Sequence, residues 1–225
     1  MHTRFDSFGR WLPWFSSMVV LACSAIFGLA LVSPAQAAES GEWVQLFNGQ
    51  DLTGWKAGEH PEQWKVEDGA IVAHGDRSHL FYVGADPEHP PEFTNFHFRA
   101  ELMTLPSSNS GIYFHSKWQE SGWPSTGYEC QVNTTHKDPV KTASLYNVVK
   151  NFVQPSKDNE WFTEEIIVEG KHIITKVNGK TIVDYVEPDS IDRPFPRLGS
   201  GTFALQAHDP GSTVKYRKIE VQRLP

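Results

Sequence analysis

Apolar and polar side chains alternate with period two through most of residues 43–224, and no window sustains the i, i+3, i+4, i+7 spacing of an amphipathic helix. Successive side chains of a strand point to opposite faces, so such a chain folds by burying one face of each strand. Phe96-His97-Phe98-Arg99-Ala100-Glu101-Leu102-Met103 shows the pattern plainly, with Phe96, Phe98, Ala100 and Leu102 on the face to be buried. Asp68-Gly69, between residues 64–66 and 70–72, and Asn178-Gly179, between residues 173–177 and 181–185, have the sequence of two-residue hairpin turns. Further strands are expected over residues 43–47, 111–116, 128–133, 162–169, 202–208 and 214–224. In the last of these the apolar parity changes between Tyr216 and Ile219, which predicts a bulge at Arg217-Lys218. Many short strands joined by Gly, Pro and Asx turns make the expected fold all-β, a sandwich or jelly roll.

The first 37 residues do not follow this pattern. Arg4 and Arg10 precede an apolar run from Met18 to Val32, and Ala35-Gln36-Ala37 has the small-x-small form of a signal-peptidase site. Cleavage after Ala37 is the simplest reading, leaving one domain over residues 38–225 in the periplasm or outside the cell. A retained anchor and lipidation at Cys23, in Val20-Leu21-Ala22-Cys23, are the alternatives. Removing Arg4, Asp6 and Arg10 leaves 18 basic and 26 acidic side chains, a formal charge of −8 that argues against nucleic acid or an anionic membrane as partner. Only Cys130 then remains, so stability must come from the core and not from a disulfide.

Parity also sorts the polar residues. In Tyr128-Glu129-Cys130-Gln131-Val132-Asn133 the residues Glu129, Gln131 and Asn133 share one side. In residues 111–117 Tyr113, His115 and Lys117 oppose Ile112 and Phe114, and in residues 203–208 Gln206 and His208 point together. Three strands thus each offer a polar face with a titratable group, although the sequence does not make them neighbours. Amides and carboxylates for hydroxyls, with aromatic rings for the apolar side of a pyranose, are what sugar recognition needs. Trp118 and Trp123, in a loop with Pro124 and Gly127, are candidate stacking rings. The plain alternative is that these groups are solvated face residues, and Asp209 in His208-Asp209-Pro210-Gly211 reads first as a turn cap. The stretches 84–94, 118–126 and 134–159 are long loops of the kind that carry function.

The chain has no phosphate-binding Gly loop, no His-Glu-x-x-His, no Gly-x-Ser-x-Gly and no Cys-x-x-Cys. It also lacks the Glu-x-Asp-x-Glu strand of retaining glucanases, so a double-carboxylate glycosidase is not supported.

Read in order, Leu46-Phe47-Asn48-Gly49-Gln50-Asp51-Leu52-Thr53-Gly54-Trp55, Asn109-Ser110-Gly111-Ile112-Tyr113-Phe114, Tyr128-Glu129-Cys130-Gln131-Val132, Val177-Asn178-Gly179 and Ala204-Leu205-Gln206-Ala207-His208 resemble the 3-keto-disaccharide hydrolase family, also described as 3-keto-glucoside lyases with hydratase activity. At His115 the chain departs from the arginine common in that family. The resemblance implies a concanavalin A-like jelly-roll β-sandwich and a sugar already oxidised at C3. A C3 ketone acidifies the C2 hydrogen, so one general base can start an elimination that expels the C1 oxygen, with water then adding back. Glu129 is the expected base, with His208 and His115 as acid, enolate stabiliser or metal ligands. Tyr113, Lys117, Trp118, Trp123, Gln131 and Gln206 are the expected substrate-binding residues. Glu129, His115 and His208 together could hold a divalent cation in a three-ligand open site. A non-catalytic carbohydrate-binding domain using the same face is the rival expectation.

Overall fold

The computed structural model describes residues 41–192 and 196–225. The leader, the Ala37 cleavage site and Cys23 lie outside the described residues. Among those described, the strands are β1 (Trp43–Gln45), β2 (Trp55–Ala57), β3 (Trp64–Glu67), β4 (Ala70–His74), β5 (Ser78–Tyr82), β6 (Phe96–Thr104), β7 (Asn109–Ser116), β8 (Tyr128–Asn133), β9 (Phe162–Glu169), β10 (His172–Val177), β11 (Lys180–Val186), β12 (Thr202–Ala207) and β13 (Thr213–Arg223). They form two antiparallel sheets of a jelly-roll sandwich. One runs β11-β10-β9-β6-β13-β4-β3, with β1 on β13 beyond the end of β4, and the other runs β2-β5-β12-β7-β8. No helix among the described residues is long and apolar enough to cross a membrane.

Local chemistry accounts for the joints. Asp68 and Gly69, at φ 51° and 73°, and Asn178 and Gly179, at 49° and 76°, are left-handed at both turn positions, which matches the twist of a two-residue hairpin. In β13 the register with β6 shifts between Arg217 and Glu220, and Lys218 takes φ 47°. This extra residue lets Tyr216 and Ile219 both face inward. Two strands, β2 and β5, fall in stretches without clear apolar alternation.

The two sheets bury their residues differently. In β6 and β9 buried and half-exposed positions alternate, so one face is solvated. In β7, β8 and β12 every residue is buried. Their inner face carries Ile112, Phe114, Tyr128, Cys130, Val132, Phe203 and Leu205 into the common core. Phe203 lies 4.9 Å from the Phe96 ring and 4.7 Å from the Phe98 ring across the sandwich, and full burial of each such side chain contributes about 1.5–3 kcal/mol. A carboxyl also breaks the apolar pattern of the core. Glu164 of β9 is completely buried, accepts a hydrogen bond from Cys130 Sγ at 2.9 Å on Oε1, and has no partner at Oε2. Burial pushes its carboxyl up to about 8, against the Cys130 hydrogen bond.

Candidate functional site

The outer face of the β12-β7-β8 strip is polar, and the loops over residues 117–127 and 134–161 close it into a cavity of about 390 Å³. Glu129 of β8 lies on its floor, opposite Tyr113 of β7. Tyr113 Oη donates to Glu129 Oε2 at 2.9 Å, and Gln206 Nε2 of β12 donates to Tyr113 Oη at 3.1 Å and to Glu129 Oε1 at 3.3 Å. Glu129 is 9% exposed, and burial pushes its carboxyl up to about 7, although the hydrogen bonds from Tyr113 and Gln206 favour the ionised form. The Tyr113 phenol is held well above its ordinary value by burial and by the Glu129 charge, so it remains a donor. The side chain of Glu129 crosses directly over Gly111, where a Cβ would stand 2.5 Å from Oε1 and 2.9 Å from Cγ.

At the β12 end of the cavity, Nδ1–H of His208 donates to Asp209 Oδ2 at 2.7 Å. Asp209 also accepts from Ser212 Oγ and from the Gly211 N–H. Burial alone would raise the Asp209 carboxyl, but these bonds and the adjacent imidazole hold it below the usual range. The remaining nitrogen of His208, Nε2, is therefore the acceptor, and Asn109 Nδ2 approaches it at 3.3 Å. Asn109 Oδ1 accepts from Gln131 Nε2, which joins β8 to the same network. Trp123, 47% exposed, roofs the cavity, with its ring centroid 5.8 Å from His208 and 5.5 Å from His79.

The structure thus brings Tyr113, Trp123, Glu129, Gln131, Gln206 and His208 to one cavity. It does not bring His115, Lys117 or Trp118 there. The expectation that His115 shares a face with Tyr113 fails because His115 has φ 57° and the β7–β12 register shifts beside it. The bulge turns its ring against Phe96 and Phe114, at 5.5 and 5.7 Å. Its Nε2–H donates to Thr94 O and its Nδ1 accepts from the Gly199 N–H, so both nitrogens are engaged. Gly127 and Gly201 pack on the bulged backbone so closely that a Cβ on either would stand within 2.4 Å of a carbonyl oxygen. Lys117 and Trp118 line a separate hollow of about 260 Å³ beside Pro90 and Thr202, with Lys56 Nζ 4.0 Å above the Trp118 ring. The expected trio for a cation is accordingly not assembled, and among the described residues no group of three His, Cys, Asp or Glu side chains is placed to hold a metal ion.

Sequence reading missed Asn109, Asp138, Tyr146 and Asn147, all of which line the cavity, and His136, whose ring centroid is 5.8 Å from that of His208. The length of loop 134–159 was the available signal for four of them. Asp209, read as a turn cap, does accept the Gly211 N–H with one oxygen while holding His208 with the other.

Residues 42–222 match the family model described as a 3-keto-alpha-glucoside-1,2-lyase-like domain. Among solved structures, a Parabacteroides distasonis protein provisionally described as a glycosyl hydrolase superposes with a TM-score of 0.68 at 23% identity, over 81% of this chain and 94% of its own. The carbohydrate-binding module CBM66 of Bacillus subtilis gives 0.56 at 13% identity, over 76% and 96%. A Bacillus subtilis protein of unknown function with a galectin-like fold gives 0.54 at 11% identity, over 83% and 96%. At these identities the likeness is one of fold, a concanavalin A-like sandwich. No sequence match was found among curated proteins.

Proposed function

The chain belongs to the 3-keto-alpha-glucoside-1,2-lyase-like family, and from that premise we propose that it is an exported enzyme cleaving 3-keto-glycosides by elimination and rehydration. The observation that carries the reading is Glu129, a buried carboxyl pushed up to about 7 on the floor of a cavity of sugar size. A general base works best when its pKa lies near the working pH. Glu129 takes the C2 proton, the C2–H electrons form the enolate with the C3 ketone, and collapse of the enolate expels the C1 oxygen. Water then adds across C1 and C2. His208, with Nδ1–H held by Asp209, is the group that protonates the leaving oxygen: its accepting Nε2 first takes a proton from solvent and then passes it on, with the Asp209 carboxylate beside the ring while it carries the charge. Export, to the periplasm or the medium, rests on the leader and Ala35-Gln36-Ala37; N-terminal sequencing should find the exported chain beginning at Ala38.

The test is incubation with a 3-keto-glucoside and with its unoxidised parent in deuterated water. Only the keto-sugar should release its aglycone, and the sugar product should carry solvent deuterium at C2 beyond non-enzymatic exchange. Release from both substrates, or a product without that deuterium, would exclude the elimination route. Release from neither would leave a sugar-binding module.

Gly111 offers a separate check on Glu129. Gly111→Ala places a methyl group against Oε1, Cγ and the carboxyl carbon of Glu129, so the side chain must shift away from its hydrogen bonds to Tyr113 and Gln206. A displacement of this kind costs on the order of 10²-fold in turnover, while overpacking of the buried position lowers stability by about 1–3 kcal/mol. Parent-like turnover would mean that the position of the carboxylate does not matter.

A further inference from the structure

His79 of β5 and Gln206 of β12 are direct register partners, 2% and 1% exposed. The orientation of the Gln206 amide is fixed by chemistry. The atom facing Glu129 Oε1 must be a donor when the carboxylate is ionised, so it is Nε2 and the other atom is the carbonyl oxygen. That Oε1 has no hydrogen-bond partner, and neither do Nδ1 and Nε2 of His79. The Gly122 backbone is close enough to favour the protonated ring slightly, but it makes no hydrogen bond of normal geometry to it. Buried polar atoms are seldom left in this state, and three on one rung of a sheet form a site short of its partner. The His79 ring stands edge-on to Tyr113 at 5.2 Å and to Trp123 at 5.5 Å, so the rung adjoins the cavity beneath the exposed indole. Burial drives the imidazole down to about 3, which leaves it neutral, with one N–H donor and one acceptor nitrogen.

We propose that His79 and Gln206 Oε1 form a subsite for one neutral sugar hydroxyl, reached when the Trp123 indole turns aside. It rests on the reading that the cavity takes a 3-keto-glycoside and adds which sugars it accepts. A hydroxyl receives the His79 N–H and gives its own proton to Gln206 Oε1, so one group engages two of the three unpartnered atoms. A deoxy carbon satisfies neither. A carboxylate has no proton to give and places its charge against the amide oxygen. The subsite therefore selects sugars with a free hydroxyl at one position and rejects the corresponding deoxy sugars and uronates.

The experiment compares methyl 3-keto-glucoside with its 4-deoxy, 6-deoxy and 6-uronate forms on the wild-type chain and on His79→Phe, which keeps the ring contacts with Tyr113 and Trp123. In the wild type, kcat/KM should fall about 10- to 100-fold for one deoxy position, the range expected when buried partners are left unpaired. In His79→Phe kcat/KM for the parent sugar should fall and the discrimination should shrink to what Gln206 Oε1 alone provides. Equal kcat/KM for both deoxy forms in the wild type, or unchanged discrimination in folded His79→Phe, overturns the subsite while leaving the reaction intact. The second measurement needs no variant. The ¹⁵N signals of the His79 imidazole should shift on saturation with methyl 3-keto-glucoside and not with the disfavoured deoxy form, and a shift with neither overturns the proposal. Failure of the wild type to turn over any of these sugars counts against the reaction, with the His79 signals still deciding the subsite.

Discussion

Glu129→Gln is expected to lower turnover of a 3-keto-glycoside by about 10²- to 10⁴-fold, the usual contribution of a general base, while substrate binding largely survives. The substitution suits the test because the site can hold it. The new amide oxygen can accept from Gln206 Nε2 and its NH₂ can donate to Tyr113 Oη, so both contacts survive, although the Tyr113 O–H must give up the acceptor that Glu129 Oε2 provided. Shape and neighbours are kept while basicity is removed. The same assignment fixes a pH dependence. Glu129 must be ionised to take the C2 proton, and burial holds its carboxyl near 7, so the rate should rise with pH through a limb at about 7. A parent-like rate in Glu129→Gln, or a rate that is flat across that limb, would remove Glu129 as the base.

Glu164→Gln should make the fold more stable at alkaline pH and flatten its pH dependence. In the folded chain the Glu164 carboxyl is raised to about 8 from an ordinary value of 4.5. Below 4.5 both folded and unfolded chains hold the proton and the group costs nothing. As pH rises from 4.5 to 8 the unfolded chain ionises while the folded one does not, so stability is lost progressively and levels off above 8. The shift corresponds to roughly 4–5 kcal/mol for this group. Glu129 loses stability in the same direction between 4.5 and about 7, so the variant should keep that smaller slope. The amide oxygen introduced by Glu164→Gln can still accept from Cys130 Sγ, and the new NH₂ replaces an atom that already lacks a partner. Denaturant unfolding at pH 4, 6 and 8.5 should therefore give nearly matched chains at the lowest pH and a gap on the order of 4 kcal/mol at the highest. Parallel curves for the two chains would show that Glu164 is not protonated in the folded core.

Much of the candidate site was legible because strand parity is a local property. Glu129 and Gln131 in β8, Tyr113 in β7 and Gln206 in β12 all face the way alternation placed them. Parity failed at His115, where a positive φ and a register shift add one residue to the strand and turn the ring inward. A bulge of the same type was readable in β13 because apolar residues flank it on both sides and their parity visibly breaks. Around His115 the flanking Ser116 and Lys117 are polar and carry no such mark. His79 escaped for another reason. Asp76, Arg77 and Ser78 hide the start of β5, and the pairing of that strand with β12 is set far away in sequence.

The sequence by itself determined the all-β character, the hairpin turns at Asp68-Gly69 and Asn178-Gly179, the bulge at Arg217-Lys218 and the polar side of each strand of the site. Each of these follows from steric preferences within a few residues or from the two-residue repeat of a strand. Tertiary structure alone decided that β12, β7 and β8 lie side by side, that two long loops close their outer face, and that Glu129 and Glu164 lose their water. Pairing joins residues as distant as Glu129 and Gln206, and a carboxyl is raised by the whole shell of atoms that excludes solvent from it. No local pattern encodes that shell, so the identity of the groups was readable in advance while their proximity and their proton affinity were not.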